Sequence, residues 1–141
     1  MNLICKSNVL DIINELGSKK VNGKVVYYEL VCGIDYRFLS PAIAEALKKN
    51  RFKNIRFAWD WSIKQQYKIK ECVDTLLKAR FKKTDLMCFM VCNWKITYEE
   101  CCKKLDLLKV WGIKVSDCWY DNQTFPNVIP KHWREEQLKK F

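Results

Sequence analysis

The sequence predicts an α/β fold made of four βα repeats with parallel strands, and three observations carry that prediction. Strand-like stretches begin near Lys24, Asn54, Leu86 and Val115, about one every thirty residues, which is the size of a βα repeat. A segment with helical apolar spacing lies between each pair, and strands that alternate with helices pair in parallel through right-handed crossovers. The third observation is the stretch from Asn54 to Asp60, in which Ile55, Phe57 and Trp59 fall on one face and Arg56, Ala58 and Asp60 on the other by the strand period of two. A strand of a β/α barrel has this pattern, with bulky residues toward outer helices and polar ones toward the interior. Asp60 then stands at the carboxyl end, where such folds place ligands.

Taken in order, Val9, Ile12, Ile13 and Leu16 form the apolar stripe of a first helix, with Ser7 or Asn8 as cap and Gly17 as stop. The β-branched and aromatic run from Lys24 to Cys32 reads as the first strand, broken by Gly33. Ser40 before Pro41 is an N-cap with proline at the first helical position, opening a short helix to about Asn50. After the strand at 54–60, Ile69, Cys72, Val73, Leu76 and Leu77 mark a long amphipathic helix between Ser62 and Ala79. Leu86–Cys92 is an almost unbroken apolar run, as expected of a strand covered on both faces. Thr97 and Glu100 have the spacing of a capping box for a helix that Gly112 ends. Val115–Tyr120 reads as the fourth strand, 121–126 as a loop, and Trp133–Phe141 as a final basic helix.

At 141 residues and 49% hydrophobic content the chain makes one domain: a helix within 1–20, four strands over 24–122 and a helix over 131–141. A complete eight-fold barrel takes ~250 residues, so a barrel here is a partial one. The 26 Lys and Arg outnumber 16 Asp and Glu, for a formal charge of +10. That excess fits solvated helix ends, where cations complement the helix dipole, and it also fits a nucleic-acid or anionic-membrane partner. Eight cysteines and an opening Met-Asn-Leu-Ile-Cys-Lys without a signal-peptide pattern lead us to expect free thiols and a cytoplasmic location. No apolar run approaches the ~20 residues of a membrane span.

Phosphate-cradling and Ser-His-Asp motifs do not occur. Cys88 and Cys92 give a C-x-x-x-C spacing, but Lys95 stands where a third thiol would complete C-x-x-x-C-x-x-C, so they read as small core hydrophobes, as do Cys101 and Cys102. No metal site is expected. His132, the one histidine, has no carboxylate or thiol at a partner spacing. What remains is a set of polar residues at strand carboxyl ends: Glu29 and Asp35, Asp60, Asn93, and Asp121 with Gln123. In a parallel sheet these ends share one rim, although loops are polar in any case.

Four stretches in collinear order carry a resemblance: Gly33-x-Asp35-x-Arg37-x-Leu39; Ile55-Arg56-x-Ala58-Trp59-Asp60-Trp61-Ser62; Phe89-Met90 with Asn93-Trp94 and Glu99-Glu100; and Asp117-Cys118-x-Tyr120 with Gln123-Thr124-Phe125. From about Val21 to Phe141 the chain resembles the carboxyl-terminal half of a radical S-adenosylmethionine enzyme of a type found in bacteria and their phages. The resemblance implies a partial (half) TIM-like barrel to which this chain gives the later strands. It implies S-adenosylmethionine as cofactor, with a [4Fe-4S] cluster held by a C-x-x-x-C-x-x-C loop that only a complementary amino-terminal half would bring. Glu29, Asp60 and Asn93 would line the cofactor or substrate side, Arg56 would pair with an interior carboxylate, and Asp35 and Gln123 would be secondary rim positions. Val31 departs from the glutamine or other polar residue of similar sequences. Alone, such a chain is expected to be inactive, its open sheet edges covered by the complementary half or a second copy. The alternative is a non-catalytic basic α/β module that binds nucleic acid or a partner protein.

Overall fold

The computed structural model describes residues 2–60, 62–92, 96–119 and 133–140. Its elements follow the chain as α1 (Val9–Ser18), β1 (Lys20–Val21), β2 (Lys24–Val25), α2 (Pro41–Lys49), β3 (Ile55–Ala58), α3 (Gln66–Lys78), β4 (Leu86–Cys92), α4 (Tyr98–Trp111), β5 (Lys114–Trp119) and α5 (Glu135–Lys140). β3, β4 and β5 form a parallel sheet in that order, with Ile55 level with Leu86 and Met87 level with Lys114. β1 and β2 form a separate antiparallel hairpin. Its turn is Asn22-Gly23, both at positive φ, the conformation a type I′ turn demands and Asn-Gly supplies.

The strand alternation decides where the core lies. Ile55, Phe57 and Trp59 of β3 and its extension, with Leu86, Cys88, Met90 and Cys92 of β4, are buried. They pack with Ile43 and Leu47 of α2, Ile69, Val73 and Leu76 of α3, and Cys101 and Leu108 of α4. Each large side chain removed from water on this face contributes ~1.5–3 kcal/mol. The alternate residues Arg56, Ala58, Met87, Phe89 and Val91 are only partly buried, so helices α1–α4 all cover one face of the sheet.

Four βα repeats forming a half barrel are not what the chain builds, because the first expected strand does not form. Residues 28–34 run beside β3 but meet it only at two isolated bridges, Tyr28 to Phe52 and Ile34 to Phe57. Ile34 N donates to Arg56 O at 2.7 Å and Lys53 N to Tyr28 O at 2.8 Å. From 28 to 34 the segment has one residue more than its neighbour has from 52 to 57, and a turn absorbs the excess: Gly33 N donates to Leu30 O at 2.8 Å. Gly33 has φ 74°, and a Cβ there would stand 3.1 Å from Arg56 O, so glycine meets both the left-handed backbone and the close approach. Val31 at the turn is 70% exposed. A ladder needs consecutive extended residues, and this turn removes them.

Local signals fare better. Ser40 Oγ accepts from Ile43 N at 3.2 Å, and Gly112 at φ 72° closes α4 as a left-handed cap. Gly17, by contrast, does not stop α1, which continues to Ser18. A Cβ at Gly17 would fall 1.7 Å from Asn50 Oδ1, and Asn50 Nδ2 donates to Asn14 Oδ1 at 3.0 Å and to Ala46 O at 2.9 Å. The glycine is there for a close crossing of α1 and α2. The segment after Ser62 begins as a 3-10 turn, Ile63–Gln65, before α3. Among the described residues, no helix is long and apolar enough to cross a membrane.

Candidate functional site

The polar end of β3 is built by extending the strand beyond its last ladder pair. Trp59 N donates to Phe89 O at 2.8 Å, which carries the backbone one residue past Ala58 and buries the Trp59 indole completely. Asp60 follows at the mouth of the sheet. On its other side Ile34, fixed to Arg56 O, delivers Asp35, whose carboxylate accepts from Arg37 N at 3.1 Å and Arg37 Nε at 2.8 Å. Asn2 Nδ2 donates to Gly33 O at 3.2 Å and ties the start of the chain to the same turn. Between them lies a cavity of about 550 Å³ lined by Asp35, Tyr36, Arg37, Ala58, Asp60 and Gln65, with Asn2 and Cys32 at its side. This volume is in the range of ligand pockets, ~300–1,000 Å³.

The two carboxylates of the cavity differ. The Arg37 guanidinium holds Asp35 below the usual carboxylate value. Burial pushes Asp60 above it, partly offset by the positive charge of Lys104. Among the described residues none donates a hydrogen bond to the Asp60 side chain, and Gln65 Oε1 is buried without a partner. Buried acceptors without donors are costly, so the cavity has open capacity for a molecule rich in N–H, O–H or positive charge.

Helix α4 holds the loop that carries Asp60. Lys104 is fully buried, and its Nζ donates to Trp59 O at 3.2 Å while lying 5.4 Å from the Trp59 ring centroid. Burial lowers its pKa, against the pull of nearby Cys101, Glu100, Cys88 and Asp60. Glu100 Oε1 accepts from Ile63 N. The Trp59 indole stacks on Trp111 at 6.0 Å and donates from Nε1 to Ser62 O at 3.3 Å. Half of the expected capping box is present, since Thr97 Oγ1 accepts from Glu100 N at 3.2 Å, but the Glu100 carboxylate turns to the β3–α3 loop instead of back to its own helix.

Of the residues singled out in the sequence, Asp35 and Asp60 line one cavity. Glu29 does not join them. The pairing of Tyr28 with Phe52 sets Glu29 beside the start of β3, where it accepts from Asn54 Nδ2 and from Arg56 Nη2, the latter at 3.1 Å. The six residues from Ile55 to Asp60 span ~17–20 Å of near-extended chain, so Glu29 and Asp60 stand at opposite ends of β3. The Asn54 amide holds the Glu29 carboxyl below its ordinary value, opposed by burial and helped to a lesser degree by Arg56. Arg56 pairs with this exposed carboxylate and not with an interior one, and its Nη1 is buried without a hydrogen bond. Asn93, Asp121, Gln123 and His132 lie outside the described residues. Cys88 and Cys92 are fully buried in β4, where burial raises the Cys88 thiol pKa. Among the described residues no cluster of three or more His, Cys, Asp or Glu could hold a metal ion.

Lys104, Glu100 and Gln65 were not legible as site residues. Lys104 left one trace: it stands three residues after Cys101 and four before Leu108, on the apolar stripe of α4, where a lysine enters the core with the helix face. No family model, curated protein or solved structure matches the chain.

Proposed function

We propose that the chain is the cofactor- or substrate-contacting module of a radical S-adenosylmethionine enzyme, inactive by itself, with the cavity at the carboxyl end of β3 as the contact. The observation that carries the reading is the half-buried Asp60 carboxylate, without a donor, sharing a cavity of about 550 Å³ with the unpartnered Gln65 Oε1. S-adenosylmethionine fits that chemistry: its sulfonium and ammonium are cationic and its ribose hydroxyls are donors, while the cavity offers acceptors. Asp60 would hold such donors, and Gln65 and the Asp35–Arg37 pair would border them. An iron–sulfur cluster bound elsewhere in the assembled enzyme, on a C-x-x-x-C-x-x-C segment that this sequence does not contain, would supply the electron for cleaving the cofactor.

Calorimetric titration of the full chain with S-adenosylmethionine tests the reading. Saturable binding is expected, at least tenfold weaker in Asp60→Asn, the order of loss for removing one charged partner at ~1.5–3 kcal/mol. Binding should also weaken as pH falls through the Asp60 pKa, which burial sets above the usual carboxylate value, because the protonated acid no longer attracts a cation. Failure to bind at millimolar cofactor, or equal binding by Asp60→Asn, would sink the proposal.

A further inference from the structure

The opposite end of the sheet has the opposite chemistry. Parallel strands joined by right-handed crossovers bring every strand start and every intervening helix end to one edge. Here Lys49, Lys78, Arg80 and Lys109 stand at the carboxyl ends of α2, α3 and α4. Helix dipoles account for cations at those places. They do not account for Lys53, Lys82, Lys83 and Lys114, which stand at or just before the starts of β3, β4 and β5. All eight side chains belong to exposed residues, and among the described residues none has a carboxylate within ion-pair distance.

Packing makes these positions one continuous strip. Lys48 Nζ lies 4.7 Å from the Phe81 ring centroid and 3.9 Å from Asp85, joining the end of α2 to the entry of β4. The stem of Lys83 lies against Gly112, close enough that a Cβ there would meet its Cδ at 3.2 Å; this joins the entries of β4 and β5. Lys53 Nζ sits 3.5 Å from the ring centroid of Tyr27, which is 56% exposed. The strip therefore runs from the hairpin side to β5, with Asp85, paired to Lys48, and Glu29, paired to Arg56, as the carboxylates at its border.

We propose that the amino-terminal edge of the sheet is a binding surface for the phosphate backbone of nucleic acid, read without base specificity, with Tyr27 beside Lys53 as an aromatic face for stacking. An array of unpaired, solvent-facing cations interleaved with an exposed aromatic ring is the electrostatic footprint of such surfaces. The surface is distinct from the rim cavity, and neither reading depends on the other.

Fluorescence anisotropy of the full chain with 30-nucleotide single-stranded DNA and RNA, over 50 to 200 mM salt, tests it. Four phosphate contacts on a single strand predict a loss of roughly 50-fold in affinity over that range. The variant Lys49→Gln/Lys82→Gln/Lys83→Gln/Lys114→Gln should flatten most of that dependence and bind at least tenfold more weakly at 50 mM. The control Lys6→Gln/Lys64→Gln/Lys68→Gln/Lys103→Gln removes the same charge from exposed positions elsewhere and should bind nearly as the parent does; far-UV circular dichroism checks that both fold. Equal weakening by both variants would assign the binding to net charge and overturn the proposal. So would no binding at 50 mM salt, or equal affinity for polyglutamate or phosphatidylserine vesicles.

Discussion

The two ends of the parallel sheet show how one topology makes two kinds of surface. At the carboxyl end, Asp35 and Asp60 border a cavity, and the loop bearing Asp60 is fixed from inside the protein by Lys104, Glu100 and Trp59. At the amino end most of the charged groups are lysines on flexible stems in solvent, and the ion pairs there are Lys48 with Asp85 and Arg56 with Glu29. The rim is therefore a preorganised site whose chemistry depends on the core. The basic edge is a field, whose strength depends on how many charges it has and hardly at all on where any one of them points. Substitutions should respect this difference: at the rim they should cost stability and ligand together, and at the edge neither fold nor cavity should notice.

The largest effect is expected at Trp59. Its indole is fully buried, stacked on Trp111 and bonded to Ser62 O, so Trp59→Ala opens a cavity under the rim loop. We expect a loss of about 3–5 kcal/mol in urea unfolding. A loss below about 1 kcal/mol would mean that the loop is not anchored in the core, and the contrast between the ends would fail.

Lys104 sharpens the same point through pH. Burial holds its pKa in the folded chain below the ordinary lysine value of 10.5. Between the folded value and 10.5 the unfolded chain binds more protons, so this group makes stability rise with pH across that window. The buried thiols act in the other direction, since burial pushes Cys72 up to about 12 and the folded chain then binds more protons as pH climbs past the ordinary thiol range. The difference between parent and Lys104→Met isolates the lysine. The parent should gain on the variant with rising pH by at most ~1.4 kcal/mol per pH unit, in chemical unfolding from pH 7 to 10. Parallel profiles would show that Lys104 is not desolvated.

What was legible in the sequence was local. Ser40-Pro41, the apolar run Leu86–Cys92 and Gly112 declare a cap, a strand and a helix end with residues that are neighbours in the chain, although the strand is fully buried on one face and not, as its unbroken apolar run led us to expect, on both. The alternation at 55–60 likewise set Asp60 apart from the core. What failed depended on partners far away. Gly17 reads as a stop until Asn50 is seen against it. Glu100 reads as half of a capping box until the backbone of Ile63 claims it. Glu29 reads as a rim residue only if the first strand is unbroken. The register of Tyr28 with Phe52 and the turn at Gly33 put it at the far end instead, because two equally apolar stretches do not reveal where one of them bulges. The hairpin had its signal in Asn22-Gly23, but strands of two residues each are too short to show a period.

The smallest effect should be on the folding of the basic edge. Lys49, Lys82, Lys83 and Lys114 are exposed and make no ion pairs among the described residues, so replacing them by Gln removes repulsion with little loss of packing. Each exposed change is worth at most ~0.5 kcal/mol, and the sum should be neutral or slightly stabilising at low ionic strength. Raising salt to 1 M, where the Debye length is ~3 Å, should then erase any difference from the parent. Thermal unfolding at 20 mM and 1 M salt reads this directly. A large loss of stability at either salt would show that these side chains hold the strand entries together, and the edge would have to be counted with the rim as structure.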